Sequence, residues 1–231
     1  MRRLVLFDID GTLLSAGGIS ARAFEAALRE VFGTVGDADR YDYSGKTDKQ
    51  IVRDLMRGAG FKDPEIDRHL AVLIERYRVL LHEWLRPEHV EAKPGVKALL
   101  AGLAADSRVT LGLLTGNIEP NARLKLAPLD ANRYFLFGAY GSDHEDRRRL
   151  PEVAVARALA ATGAAFAGGE IVIVGDSIHD VLCGRHLGVR AVAVATGRTT
   201  REALRAVEPH ALLASFADRE QAIRAILGEE E

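Results

Sequence analysis

Five short apolar runs, each ending in small or polar residues, punctuate this chain. They are Arg3-Leu4-Val5-Leu6-Phe7 before Asp8, Val109-Thr110-Leu111-Gly112-Leu113-Leu114 before Thr115-Gly116-Asn117, Tyr134-Phe135-Leu136-Phe137 before Gly138, Ile171-Val172-Ile173-Val174 before Gly175-Asp176-Ser177, and Arg190-Ala191-Val192-Ala193-Val194 before Ala195-Thr196-Gly197. Apolar side chains on consecutive positions suit strands covered on both faces, as in a parallel sheet. Ala- and Leu-rich segments with helical spacing lie between and beside the runs, near 94–105, 119–127, 151–162, 178–187 and 200–207. Strand alternating with helix predicts a doubly wound, Rossmann-like α/β sheet.

The stretch after the first run breaks this rhythm. About a hundred residues separate Asp8 from Val109, far more than one crossover helix requires. Helical periodicity recurs over 18–32, 47–58 and 64–85, and Pro94-Gly95 marks a fresh start ahead of the next helix. The organisation expected is an α/β core built from 1–15 and 89–231, with a small helical cap, 16–88, inserted after the first strand.

Composition narrows the function classes. The chain has 231 residues, of which 48% are hydrophobic and 28% charged, enough for a packed core and one good-sized domain with an insertion. With 31 Lys+Arg against 33 Asp+Glu, the net charge of −2 gives no global attraction to nucleic acid or acidic lipid. One cysteine, Cys183, excludes a disulfide framework and a Cys-rich zinc site; its place in an apolar helical segment fits packing. No apolar run reaches the ~18 residues of a membrane span. Asp8 interrupts the stretch after Arg2-Arg3 before an h-region of ~7–15 residues can form. A soluble cytoplasmic protein is expected. The tail Glu229-Glu230-Glu231 is expected to fray.

The chemistry gathers where the runs end. In open parallel sheets ligands bind beyond the carboxyl ends of the strands, and here those ends carry Asp8 and Asp10, Thr115 and Asn117, then Asp176 and Asp180. Bringing Asp8, Asp10 and Asp176 into one cleft without a cation would force a proton onto at least one of them. Oxygen ligands without His or Cys favour magnesium over zinc. Two carboxylates two residues apart beside such an ion suit phosphoryl transfer: one attacks phosphorus, and the other protonates the leaving oxygen and later deprotonates a water. Gly11 supplies the turn that lets both share one face. Arg147-Arg148-Arg149 is the available source of a cation opposite the metal.

These residues resemble the haloacid dehalogenase-type hydrolases. Asp8-Ile9-Asp10-Gly11-Thr12-Leu13 resembles the first motif of that family, Thr115-Gly116-Asn117 the second, and Val174-Gly175-Asp176-Ser177-Ile178-His179-Asp180 the fourth, in order across about 170 residues. The resemblance implies that Asp8 is the nucleophile and a magnesium ligand, and that Asp10 is the general acid/base with its main-chain carbonyl on magnesium. It implies phosphoryl binding by Thr115, Gly116 and Asn117, a third protein ligand in Asp176, and a supporting, orienting role for Asp180. Dehalogenase members lack the second aspartate, so this chain resembles the phosphatases, with a small phosphorylated metabolite as partner and Mg2+ as cofactor.

The third motif departs from the pattern. A Lys, often followed by Pro, is usual there, whereas this chain reads Asp146-Arg147-Arg148-Arg149-Leu150-Pro151. Arg147 is the first choice for that role; counting back from Pro151-Glu152 favours Arg148 instead. The insertion resembles the helical cap of phosphoglycolate phosphatase-like and β-phosphoglucomutase-like members. Ser44-Gly45-Lys46-Thr47-Asp48 resembles the cap loop that faces the site there, with Lys46 either touching an anionic substrate or simply solvated, and Thr47 and Asp48 capping the following helix. His179 is expected at the surface or just behind the site. A phosphomutase and a phospho-accepting regulatory module are the rival readings.

Overall fold

The apolar runs become strands because each can bury both of its faces. In chain order the strands of the computed structural model are β1 (Arg3–Phe7), β2 (Leu14–Ser15), β3 (Glu91–Ala92), β4 (Val109–Leu114), β5 (Phe137–Ala139), β6 (Ile171–Gly175), β7 (Arg190–Val194) and β8 (Ala211–Leu213). The helices are α1 (Ile19–Phe32), α2 (Asp48–Gly58), α3 (Asp63–Trp84), α4 (Val96–Ala105), α5 (Glu119–Leu126), α6 (Leu150–Thr162), α7 (Ile178–Leu187), α8 (Arg201–Ala206) and α9 (Arg219–Leu227). The structure describes residues 1–229, so Glu230 and Glu231 of the acidic tail lie outside the described residues.

Six strands form one sheet in the order β5-β4-β1-β6-β7-β8, every neighbouring pair parallel. In β1, Leu4 and Leu6 join one core with Leu114, Ile171, Ile173 and Cys183, while Val5 and Phe7 join the other with Leu99, Val172 and Phe216. Leu4, Val5, Leu6 and Phe7 are all fully buried, at about 1.5–3 kcal/mol for each apolar side chain removed from water. This two-sided burial is the doubly wound architecture expected from the continuous apolar runs. The strand β8 and helix α9 extend it beyond the elements read from sequence.

One run behaves differently from its expectation. Of Tyr134-Phe135-Leu136-Phe137, only Phe137 enters a strand, opposite Gly112; a 3-10 helix, Ala131–Tyr134, precedes it. Phe135 turns into the core at 2% exposure while Leu136 stands 75% exposed. Phe135 is drawn inward by an edge-to-face contact with Phe7, ring centroids 6.3 Å apart, and Phe216 meets the same ring at 6.5 Å.

Between β2 and β3 the chain builds α1, α2 and α3. The antiparallel pairs Leu14↔Ala92 and Ser15↔Glu91 bring the outgoing and returning chains side by side. Within this helical unit Phe24 packs edge-on against Tyr77, centroids 5.0 Å apart, and Leu28, Leu73 and Leu81 are fully buried. The start of α2 docks on the sheet's loops: Thr47 Oγ1 donates to Glu145 O at 2.6 Å, Lys49 Nζ to Ser142 O at 2.9 Å, and Arg53 Nε to Glu145 Oε1 at 2.7 Å. Among the described residues no helix is long and apolar enough to cross a membrane.

Phe7 ties β1 to two other aromatic rings directly below Asp8. Phe7→Ala should lower the free energy of unfolding by about 3–5 kcal/mol, read from the urea midpoint at unchanged slope; a loss under about 1 kcal/mol would mean the aromatic cluster does not hold β1 in place.

Candidate active site

The sheet order reverses around β1: the chain moves outward to β4 and β5, then returns to β6 on the other flank. The carboxyl ends of β1, β4 and β6 therefore lie side by side, where a doubly wound sheet offers its crevice. A cavity of about 340 Å³ opens there, and Asp8, Asp10, Thr115, Asn117, Arg147 and Asp176 all line it. Ser44, Gly45 and Lys46 of the inserted segment line its other side.

Asp8 and Asp176 sit at adjacent strand ends, with Asp180 one helical turn beyond. Carboxylate oxygens of the three lie within 4.8 Å of one another, and each residue is buried. Arg147, only 3% exposed, is the cation among them: Nη2 donates to Asp8 Oδ1 at 2.9 Å, to Asp180 Oδ1 at 2.6 Å and to Leu114 O at 3.2 Å. Burial raises the Asp8 carboxyl well above the usual carboxylate range, against the pull of Arg147. Burial, then the charges of Asp8 and Asp180, raises Asp176 in the same direction.

Asp180 accepts on both oxygens, from Arg147 on Oδ1 and from Ser177 N and Oγ on Oδ2, at 3.0 and 2.6 Å. Ser177 in turn caps α7. With both oxygens committed to donors, Asp180 orients Arg147. Asp176 accepts from Thr12 Oγ1 at 3.0 Å on Oδ1 only. The space around its Oδ2 is kept by two glycines: a Cβ on Gly11 would stand 2.4 Å from that oxygen, and one on Gly197 would stand 1.6 Å from it. Gly11 also takes φ +86° in the turn after Ile9, whose carbonyl accepts from the amides of Thr12, Leu13 and Leu14.

This donor set fits a hard divalent cation. Asp8 and Asp176 offer carboxylate oxygens, buried and crowded beyond what one guanidinium neutralises, and Asp176 keeps one oxygen free of donors among the described residues.

Asp10 lies on the cavity's other wall, and its partner is a residue the sequence reading missed. Lys125 of α5 donates to Asp10 Oδ1 at 3.0 Å and Oδ2 at 2.8 Å, and to Asn117 Oδ1 at 2.6 Å. Asn117 Nδ2 donates to Asp10 Oδ2 at 2.7 Å and to Thr115 Oγ1 at 2.8 Å. The only sequence signal for Lys125 was a lysine on the buried side of a helix that begins two residues after Asn117.

The remaining expected residues divide. Thr115 is buried, and its hydroxyl oxygen accepts from Asn117. Gly116 accepts from Asp48 N at 2.9 Å, with no room for a side chain against Lys46 O. Lys46 lines the cavity, but its ammonium is 3.9 Å from the Tyr41 ring centre and 3.5 Å from Asp54 Oδ2. Arg148 does not join the site: its side chain is 64% exposed and its guanidinium pairs with Asp146 at 2.8 Å. It heads the turn into α6, which aims Arg147 inward and Arg148 outward. Thr47 caps α2 as expected, accepting from Gln50 N. Asp48 does not; its Oδ2 accepts from Ile118 N at 2.9 Å, at the start of α5 across the interface, and burial holds its carboxyl at about 6. His179 is half-buried against Gly45, and its pKa is lowered by burial. Cys183 is fully buried, with Sγ 3.6 Å from Arg147 O.

Known proteins resemble this chain over nearly its whole length. The chain is 28% identical over 232 residues to the "Probable phosphatase IndB" of Dickeya dadantii, covering 98% of this chain and 96% of that one. It is 29% identical over 220 residues to the phosphoglycolate phosphatase of Yersinia pestis, covering 94% and 90%. Among solved structures, a "predicted phosphatase" from Clostridium acetobutylicum superposes with a TM-score of 0.73 at 17% identity, covering 97% and 99%, which shows a shared fold. The family model of the haloacid dehalogenase-like hydrolases matches residues 5–194, from the middle of β1 to the end of β7, and so includes Asp8, Thr115, Arg147 and Asp176; this chain belongs to that family.

Proposed function

We propose that this chain is a magnesium-dependent phosphatase of small phosphomonoesters, working through a phosphoryl group carried on Asp8. The observation that carries this reading is the pair of aspartates two residues apart with contrasting surroundings: Asp8 buried against Arg147 and Asp176, Asp10 open to the cavity and held by Lys125 and Asn117. Environments that differ this much suit two carboxylates for two tasks.

Asp8 attacks phosphorus as the bond to the ester oxygen breaks, and Asp10 gives that oxygen its proton. Asp10 then takes a proton from water, which attacks the phosphoryl group, frees Asp8 and releases inorganic phosphate. The Thr115 hydroxyl and Arg147 are the donors available to the phosphoryl oxygens, with Asp180 holding Arg147 in place. Asp8, Asp176 and the main chain of Asp10 would hold magnesium, which supplies neutralisation of the developing phosphoryl charge. The inserted helices cover the cavity and limit what enters. The phosphoglycolate phosphatases among the relatives favour a small phosphorylated acid as substrate.

Phosphate release from a panel of small phosphomonoesters, phosphoglycolate included, tests the reading. Release should require Mg2+ and stop with chelator, and Asp8→Asn should cut kcat roughly a thousandfold or more. Substantial turnover by Asp8→Asn would reject the covalent mechanism, and a sugar-phosphate isomer in place of inorganic phosphate would point to a mutase.

Metal binding should also show in stability. Asp8 and Asp176 have raised carboxyls in the folded chain, so between the ordinary carboxylate range and their raised values the native state binds more protons than the unfolded state. Their contribution therefore falls as pH rises through that window. A cation seated between them removes this penalty, and the gain in Tm on adding Mg2+ should be larger at pH 8 than at pH 5. An equal or larger gain at pH 5 would mean that these carboxylates do not hold the ion.

A further inference from the structure

Lys125 is 2% exposed, and a buried ammonium must be fully paired. Its three protons match three oxygens: Asp10 Oδ1, Asp10 Oδ2 and Asn117 Oδ1. An ammonium can only donate, so the Asn117 carbonyl must face it. The Asn117 amide is thereby turned the other way, and its two protons go to Asp10 Oδ2 and Thr115 Oγ1. Both side chains are spent on holding Asp10. Asp10 itself is 43% exposed at the side chain, against 3% for Lys125: the reactive group reaches the cavity while its support is sealed in α5. Asp48 accepts from the Ile118 amide at the head of that helix, fixing where it starts.

We infer that Lys125 is a positioning residue that acts through Asp10, aiming the carboxylate that exchanges a proton with the leaving group, and that the Asn117 amide serves the same end. The inference rests on the reading of Asp10 as general acid/base. An apolar side chain of similar length would fill the same space without a buried charge, and among the described residues the carboxylate this ammonium pairs with is Asp10. Lys125 contacts neither Asp8 nor Asp176 among the described residues. Its loss should therefore slow proton delivery without weakening capture of the phosphoryl group.

The test uses Lys125→Met and Lys125→Gln, each checked for cooperative unfolding, on two substrates: an alkyl phosphate the native chain hydrolyses and p-nitrophenyl phosphate. A leaving alkoxide needs a proton, whereas p-nitrophenolate hardly does. For the alkyl ester kcat should fall by about tenfold to a hundredfold or more, while KM stays within about threefold. The loss of kcat/KM, which reports only the step that expels the leaving group and not the later attack of water, should be much smaller for p-nitrophenyl phosphate than for the alkyl ester. Lys125→Gln, which can still donate to Asp10, should lose less than Lys125→Met. In an Asp10→Asn background, Lys125→Met should change kcat by no more than about threefold, because the group it serves is gone. Equal losses of kcat/KM on both substrates, a change confined to KM, or an undiminished loss in the Asp10→Asn background would each overturn the inference and leave the phosphatase reading intact. No phosphate release by the native chain from either ester would overturn both.

Discussion

Two like charges 4.8 Å apart repel by roughly 3.5 kcal/mol at an effective dielectric of about 20, and the ends of β1 and β6 with the first turn of α7 bury three carboxylates within that distance. Burial adds a desolvation cost to each ionised group. The single guanidinium of Arg147 answers part of this, by pairing with Asp8 and Asp180 at once. Much of the surrounding structure follows from the same constraint. Thr12 turns back to donate to Asp176, Ser177 donates twice to Asp180, and two glycines leave the free Asp176 oxygen its space. What remains uncompensated is charge of the kind that a hard divalent cation would neutralise.

The second acidic position is handled by other means. Asp10 lies partly in the cavity and has its own cation, so it stands apart from the buried cluster although it is only two positions from Asp8. The Gly11 turn makes this possible, because a regular strand would have pointed side chains two residues apart to the same face of the sheet. The fold gives each aspartate its own basic residue, Arg147 from the turn into α6 for Asp8 and Lys125 from α5 for Asp10.

The inserted helices are tied to this machinery as well as packed beside it. The first turn of α2 places Thr47 on Glu145, Asp48 on Gly116 and Ile118, and Arg53 on Glu145. Gly116 thus touches the cavity on one side and the inserted segment on the other, at a backbone approach that only glycine permits. Asp48 joins the inserted helices to the helix that carries Lys125. The covering unit and the Asp10 wall of the cavity are therefore one connected set of hydrogen bonds.

The sequence by itself determined the parallel sheet, because continuous apolar runs bury on both faces whatever their order, and it determined the positions of Asp8, Asp10, Thr115 and Asp176, because ligands gather where such strands end. Helix bounds read from periodicity agree with the structure to within about two residues, α7 most closely, where Ser177 and Asp180 cap the start. The aromatic run at 134–137 was misleading, since its rings were claimed by Phe7 from a distant strand. Short β8 and amphipathic α9 left weaker patterns. Resemblance put Arg147 ahead of Arg148; what separates them physically is only the direction that the turn into α6 gives each neighbour in the charge run. Lys125 was not legible: a lysine in a helix reads as solvated until the fold shows which acid lies opposite. Local composition fixes what a residue can do, whereas the partner of a buried charge comes from another part of the chain and is set only when the sheet closes.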